Sequence, residues 1–272
     1  MTAGKGRSFA IRATLAVALI LTLTPLLSMI SAALQPADRN PAGLMWPSDP
    51  QWGNFGDAFR NGHLGELFLS SSLIVLGVVP ATLVFGTLAG FALGNLRIRG
   101  GRFMLVFLLF GLTIPFEALI IPLYFEMQDF GLLNSRWSVI LPLIGLYMPF
   151  SVIWMRVHFG SIPRELSEAA RLDGATMFQE LARVQLPLAG SSLSALGILL
   201  FIWTWNQFLL PVVLIADPLH RTVAGALTYF QGQYSSSIPL LNASALMVIA
   251  PAIVIFIIFQ RFLVGAQREM TN

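Results

Sequence analysis

Three groups of residues in this 272-residue chain have types and spacing that can do chemistry. The first is a cluster of acids and small residues: Glu168, Ala169 and Ala170, then Asp173, Gly174 and Ala175. The alanines let a partner approach closely, and the two acids can pair with its arginines. The second is Glu117, two residues beyond Pro115 and five before Pro122 in an otherwise apolar run. A carboxylate in such surroundings is costly unless it meets water or a partner. The third runs from Trp203 and Thr204 to Trp205, Asn206 and Gln207. Rings stack on C–H faces and amides bond hydroxyls, a chemistry suited to sugars. Nucleophile and metal chemistry have no comparable footing. There is no cysteine, and His63, His158 and His220 are scattered, with no H-E-x-x-H motif. The sole lysine is Lys5 and no G-x-x-x-x-G-K-[ST] loop exists, so if ATP drives this protein a separate subunit must bind it.

The elements that position these groups follow from composition. Hydrophobic residues make up 56% of the chain and charged residues 11%, less than half the share a water-exposed globule carries. The chain reads as an all-α polytopic membrane protein. A crossing helix needs about 20 apolar residues, and six stretches qualify, at about 12–34, 67–96, 103–127, 138–159, 191–215 and 241–263. They make one transmembrane domain over 1–272. The first follows Lys5, Arg7 and Arg12 and is too long for a cleaved signal peptide, so it reads as an uncleaved anchor.

Charge sets the orientation. Six spans place Lys5, Arg7, Arg12, Arg97, Arg99, Arg102, Arg156, Arg164, Arg171, Arg183, Arg261 and Arg268 on one side. Only Arg39, Arg60, Arg136 and Arg221 fall on the other. The basic side is cytoplasmic by the positive-inside rule, with both termini inside. The net charge of +3 then reflects cytoplasmic loops rather than nucleic-acid binding.

One cytoplasmic loop, 160–190, is long for a chain with short connections. Pro163 suits the first turn of a helix, which continues through helix-favouring residues to Leu172. Gly174 can adopt the left-handed geometry that ends it. Thr176 and Gln179 form a capping-box pattern for a second helix, expected to stop before Pro187 because proline disfavours helical geometry at Leu186. The result is a helical hairpin at the membrane surface, either a mere connection between spans or a docking element for a cytoplasmic partner. Spacing alone leaves both uses open.

Other positions carry paired readings. Glu117 either faces a translocation path or is a buried carboxyl bonded to another span or to a partner subunit. Trp205, Asn206 and Gln207 form a helix-packing or gate segment, or touch the solute directly. Gly86, Gly90 and Gly94, at four-residue spacing, let helix backbones approach closely. Trp46, Trp52, Phe55 and Phe59 in the outer loop 35–66 sit at the membrane interface or form a small cap.

The hairpin also carries a family signature. Glu168, Ala169 and Ala170, then Gly174, then Leu186 and Pro187, resemble the "EAA" motif of permease subunits of bacterial ATP-binding-cassette importers. Gly90–Leu93 before the arginine cluster, Ile114–Glu117, Ile121–Tyr124, Phe130–Asn134, Trp205 and Asn206 with Phe208, and Gln260–Phe262 resemble the carbohydrate branch. The likeness spans about 54–261 and is to the second, six-span permease of maltose-type importers.

That resemblance implies a non-catalytic subunit that binds no cofactor itself. A homologous permease would pair with it, and two ATPase subunits carrying ATP and magnesium would bind below. An extracytoplasmic binding protein would deliver the sugar, with lipid around the spans. Glu168, Ala169, Ala170, Leu172, Asp173, Gly174, Ala175, Phe178 and Pro187 would form the ATPase-coupling element. Glu117, Trp205, Asn206 and Gln207 are the candidates for path or gate. Two departures stand out: Gln207 replaces an acid common in the family, and the longer glycine- and lysine-containing tail is not expected after Arg268. Glycerol phosphate is an alternative cargo within this family. A self-sufficient secondary transporter is the alternative mechanism, though it calls for inverted repeats and ion sites that the sequence does not clearly offer.

Overall fold

Apolar runs of helical length give helices, and among the described residues no strand occurs. The computed structural model describes residues 3–38, 43–96, 98–225 and 237–269, excepting the side chains of 3–10 and 259–269. Arg39 and Arg97, the side chains of Lys5, Arg7, Arg261 and Arg268, and those of the Gln260–Phe262 motif lie outside the described residues.

Among the described residues four helices are long and apolar enough to cross a membrane: α1 (Ala3–Ala33) over Ile11–Ala33, α3 (Leu64–Asn95), α6 (Trp137–Ser161) and the last, α12 (Ile238–Glu269), over Ile238–Ile258. Between them lie α2 (Gly53–Asn61), α4 (Gly101–Gly111), α5 (Ile120–Asp129), α7 (Arg164–Leu172), α8 (Met177–Glu180), α9 (Leu186–Leu188), α10 (Gly190–Trp205) and α11 (Leu209–Leu214).

The third and fifth spans are therefore not the continuous helices that 103–127 and 191–215 suggest. Counting two bent pairs, Gly101–Gly111 with Phe116–Asp129 and Met177–Leu188 with Gly190–Trp205, as one crossing each brings the number among the described residues to as many as six. The third is α4, an unwound stretch and a 3-10 turn at Phe116–Leu119 leading into α5, with a bend of 94°. Pro115 supplies the cause: its ring clashes with the carbonyl four residues back, at Gly111, where α4 ends. In the fifth, α10 stops at Trp205 and α11 resumes at Leu209. Here Pro211 cannot donate to the Gln207 carbonyl, which accepts the Thr222 hydroxyl at 2.5 Å instead.

A third proline behaves differently. The hairpin's second helix does not stop before Pro187. It passes through a π turn at Leu181–Gln185 into α9, and the chain bends by 78° only between Leu188 and Gly190. The wider π turn relieves the clash between Pro187 and the carbonyl of Arg183.

The chain divides into two compact units, Met1–Gly65 with Leu227–Ala250, and Glu66–Ala226 with Pro251–Asn272. In the first, Ala33, Ala58 and Ala243 form a small core with Phe55 and Leu240. The buried Asn54 amide donates to the carbonyls of Ala33 and Gln35 at 2.8 and 2.7 Å, tying α2 to the end of α1. Trp46 and Trp52 stay exposed.

The second unit is built on α3 against α6. A Cβ on Gly86 would stand 2.8 Å from the Ser151 Cβ, one on Gly90 2.5 Å from the Met155 Cβ, and one on Gly94 2.8 Å from the Arg156 carbonyl. Only glycine permits that approach. On either side of the seam lie two apolar cores. One joins Ile74, Val78, Ile140 and Leu143 to Leu210 and Leu214 of α11. The other joins Phe91, Met155 and Phe159 to Leu196 and Leu200 of α10. Asn134, at φ 63°, turns its side chain onto the Ala216 N–H at 2.7 Å, and its own N–H donates to the Leu214 carbonyl, which fixes the end of α11.

Candidate functional site

The hairpin from Arg164 to Leu188 brings the first group together. Its turn is made locally: Gly174 takes φ +81°, and Thr176 accepts from the Gln179 N–H while the Gln179 side chain accepts from the Thr176 N–H. This reciprocal cap satisfies two donors at the start of α8. Apolar side chains are left outside at the tip. Leu172 is 88% exposed and Phe178 72%, and Glu168, Ala169, Asp173 and Gly174 are also exposed. Ala170 and Ala175 are half-buried, and Pro187 is exposed. A groove of about 530 Å3 runs along this side, lined by Ala169, Ala170, Asp173, Gly174, Ala175 and Arg183 among others.

Behind the tip lies a polar hub. Glu180, 1% exposed, accepts from Arg171 Nε at 2.9 Å and from Asn95 Nδ2 at 2.6 Å. Ser167, also buried, accepts from Gln185 Nε2 at 2.8 Å. The hub joins both hairpin helices to Asn95, the last residue of α3. Burial pushes the Glu180 carboxyl up, but hydrogen bonds from Arg171, Ser167 and Asn95, with the Arg171 charge, outweigh it and hold it below its ordinary value. A second cavity, of about 420 Å3, opens between Asn95, Phe159, Arg164 and Arg171, with Glu168 on its wall.

Sequence reasoning missed this hub. Arg171 and Glu180, opposite charges on the two sides of a glycine turn, were a signal available from spacing. Asn95, 85 residues away from Glu180, left none.

The second and third groups are placed less uniformly. Glu117 is exposed, in the first turn after the break in the third span. Trp205 is 4% exposed and stacks on Phe68 and Phe201, with ring centroids at 5.9 and 5.5 Å. Asn206 is exposed at the end of α10, its amide on the Ile202 carbonyl at 2.9 Å. Gln207 is half-buried and bonds the Tyr147 hydroxyl. The buried Trp205 is thus set apart from the exposed Glu117 and Asn206. Among the described residues no group of three potential ligands can hold a metal.

Residues 82–270 match the family described as binding-protein-dependent transport system inner membrane component. The chain belongs to this family. It is a permease, a membrane transport component and not an enzyme. It is 33% identical over 246 residues to the arabinooligosaccharides transport system permease protein of Halalkalibacterium halodurans, covering 89% of this permease and 88% of that one. It is 31% identical over 227 residues to the diacetylchitobiose uptake system permease protein of Streptomyces coelicolor, covering 83% of this permease and 75% of that one. A solved bacterial ABC transporter for import of the acidic polysaccharide alginate contains a chain that superposes with a TM-score of 0.79, over 96% of this permease and 98% of that chain. At 23% identity that likeness shows the fold alone.

Proposed function

We propose that this permease is one membrane subunit of an ATP-driven importer of a sugar or oligosaccharide, paired with a homologous permease and energised by two separate ATPase subunits. The observation that carries the reading is the hairpin, whose exposed apolar tip and adjoining groove of small residues, with Asp173 and Arg183 on its wall, stand on a buried, paired carboxylate. A surface connection between spans has no need for 88% exposure at Leu172 on so fixed a base. A seat in an ATPase cleft does need both. Glu168, Ala169, Ala170, Leu172, Asp173, Gly174, Ala175 and Phe178 form the coupling surface, and Pro187 starts the turn that leads into α10.

ATP and magnesium bind on the partner ATPases, and the external binding protein delivers cargo. Both termini lie in the cytoplasm of a bacterial inner membrane, as the arginine distribution requires. Closure of the ATPases holds the hairpins in one of two arrangements. By linkage, the state that binds ATP tighter then becomes the state that accepts cargo from outside. The cargoes named for the two relatives, arabinooligosaccharides and diacetylchitobiose, support a carbohydrate.

The test is ATP hydrolysis by the reconstituted complex with its binding protein, across trehalose, diacetylchitobiose, arabinotriose, maltotriose, glycerol 3-phosphate and amino acids. The reading expects stimulation by at least one sugar. Stimulation by glycerol 3-phosphate or an amino acid alone overturns the carbohydrate assignment.

A further inference from the structure

Two of the spans break, and they break at the same level. Pro149 is the middle residue of the 25-residue α6. Gly111, where α4 ends, lies against it: a Cβ there would sit 3.3 Å from the Pro149 ring. The neighbouring Phe150 meets Trp203, in the last turn of α10, at a centroid distance of 4.9 Å. Both breaks therefore flank the midpoint of an unbroken crossing helix.

Polar residues are exposed at both: Thr113 and Glu117 at one, Asn206 at the other. In hydrocarbon, unwound backbone and exposed polar groups cost several kcal/mol each, so they persist only where protein or water covers them. Trp203 is 37% exposed on the same side as Asn206, three residues on. Its ring also packs against Tyr147 at 5.6 Å, and the Tyr147 hydroxyl bonds the side chains of Thr204 and Gln207. Trp205 faces the other way, into Phe68 and Phe201.

We infer that Trp203 and Asn206, backed by Tyr147 and Phe150 and joined by Glu117, form a midplane wall of the translocation path on which a neutral sugar ring stacks. The indole takes the apolar C–H face of the pyranose, and the Asn206 amide and the Glu117 carboxylate take its hydroxyls. A carboxylate in the wall disfavours uronates and glycerol phosphate by like-charge repulsion. Trp205 is a packing residue. The inference rests on the importer reading above and adds which residues meet the cargo and which charge it carries.

The chain holds no cysteine, so single cysteines report without background from it. In the full complex in proteoliposomes, Asn206→Cys and Thr113→Cys are treated with a charged, water-soluble thiol reagent and labelling of this chain is followed, with Phe107→Cys, 62% exposed on α4, as the apolar control. Both break positions are expected to label. Asn206→Cys is expected to label about tenfold more slowly when the imported sugar from the panel above is supplied at about ten times its half-saturating level. Glycerol 3-phosphate is expected to give no protection. Unreactive cysteines at both breaks, or labelling that sugar leaves unchanged, overturn the wall. If Asn206→Cys does not assemble, protection at Thr113→Cys decides the same question. A wild-type complex that imports no sugar refutes the importer reading; unprotected cysteines in a sugar-importing complex refute only the wall.

Discussion

The cytoplasmic hairpin and the middle of the membrane use polar groups in opposite ways. In the hairpin the polar groups pair with one another: buried Glu180 accepts from Arg171 and Asn95, buried Ser167 accepts from Gln185, and the apolar Leu172 and Phe178 stay exposed. At the span breaks, Glu117 and Asn206 are exposed and the apolar residues pack behind them. Such a network fixes position, because removing either partner of the Arg171–Glu180 pair leaves the other without its counter-charge. Exposed polar groups at membrane depth await a ligand or water. In the proposed mechanism the hairpin is held by an ATPase and the wall receives the sugar.

The contact on which both regions depend is the α3–α6 seam, and breaking it should have the largest effect. Gly90→Ala puts a Cβ 2.5 Å from that of Met155, so α6 must move. Overpacking of this kind costs about 3 kcal/mol, and recovery of assembled complex should collapse by fluorescence-detected size exclusion. Next is the hub. Glu180→Ala leaves Arg171 without its acceptor and Asn95 with only the Ser167 hydroxyl, at about 2 kcal/mol because Arg171 is half exposed and partly solvated. Retention of the ATPases should fall about thirtyfold, while the reactivity of Asn206→Cys stays as in the parent. Equal loss in both regions would erase the distinction between them.

At the tip, Phe178→Ala removes an exposed ring, so thermal stability should not move. ATPase affinity should drop about tenfold, as for a single apolar anchor. The smallest effect is pH. The Glu180 carboxyl is depressed in the folded hairpin, so its contribution is complete above the ordinary carboxylate value of about 4.3 and fades as pH falls through the lower folded value. Complex stability should be flat from pH 6 to 8 and decline below about 4, and Glu180→Gln should flatten that decline.

Local features of the hairpin were legible in the sequence because their causes are local. Gly174, the Thr176–Gln179 cap and the Arg164–Leu172 helix each depend on neighbours within four residues. The glycine ladder of α3 was legible as spacing, though its partner, α6, was not. The hub was hidden because Asn95 lies in another helix. The breaks were half visible. Pro115 and Pro211 stand in the sequence, but a proline at membrane depth kinks, ends or merely tilts a helix depending on what takes the freed carbonyl, here Thr222 for Gln207. Choosing Trp203 over Trp205 as the exposed ring needs the rotation of α10 about its axis. A helix that is apolar all round gives no moment from which to read that rotation.

The central claim, that ATP hydrolysed elsewhere drives this permease through its hairpin, is tested most directly by uptake of the stimulating sugar into proteoliposomes. The two permeases are reconstituted with and without the ATPase subunits, and with Gly174→Val, which forces a branched residue into φ +81° at the hairpin turn. Uptake is expected only from the complete complex with ATP, with at least a tenfold loss for Gly174→Val. Uptake by this chain without ATPases, or full uptake with the distorted turn, would contradict the claim.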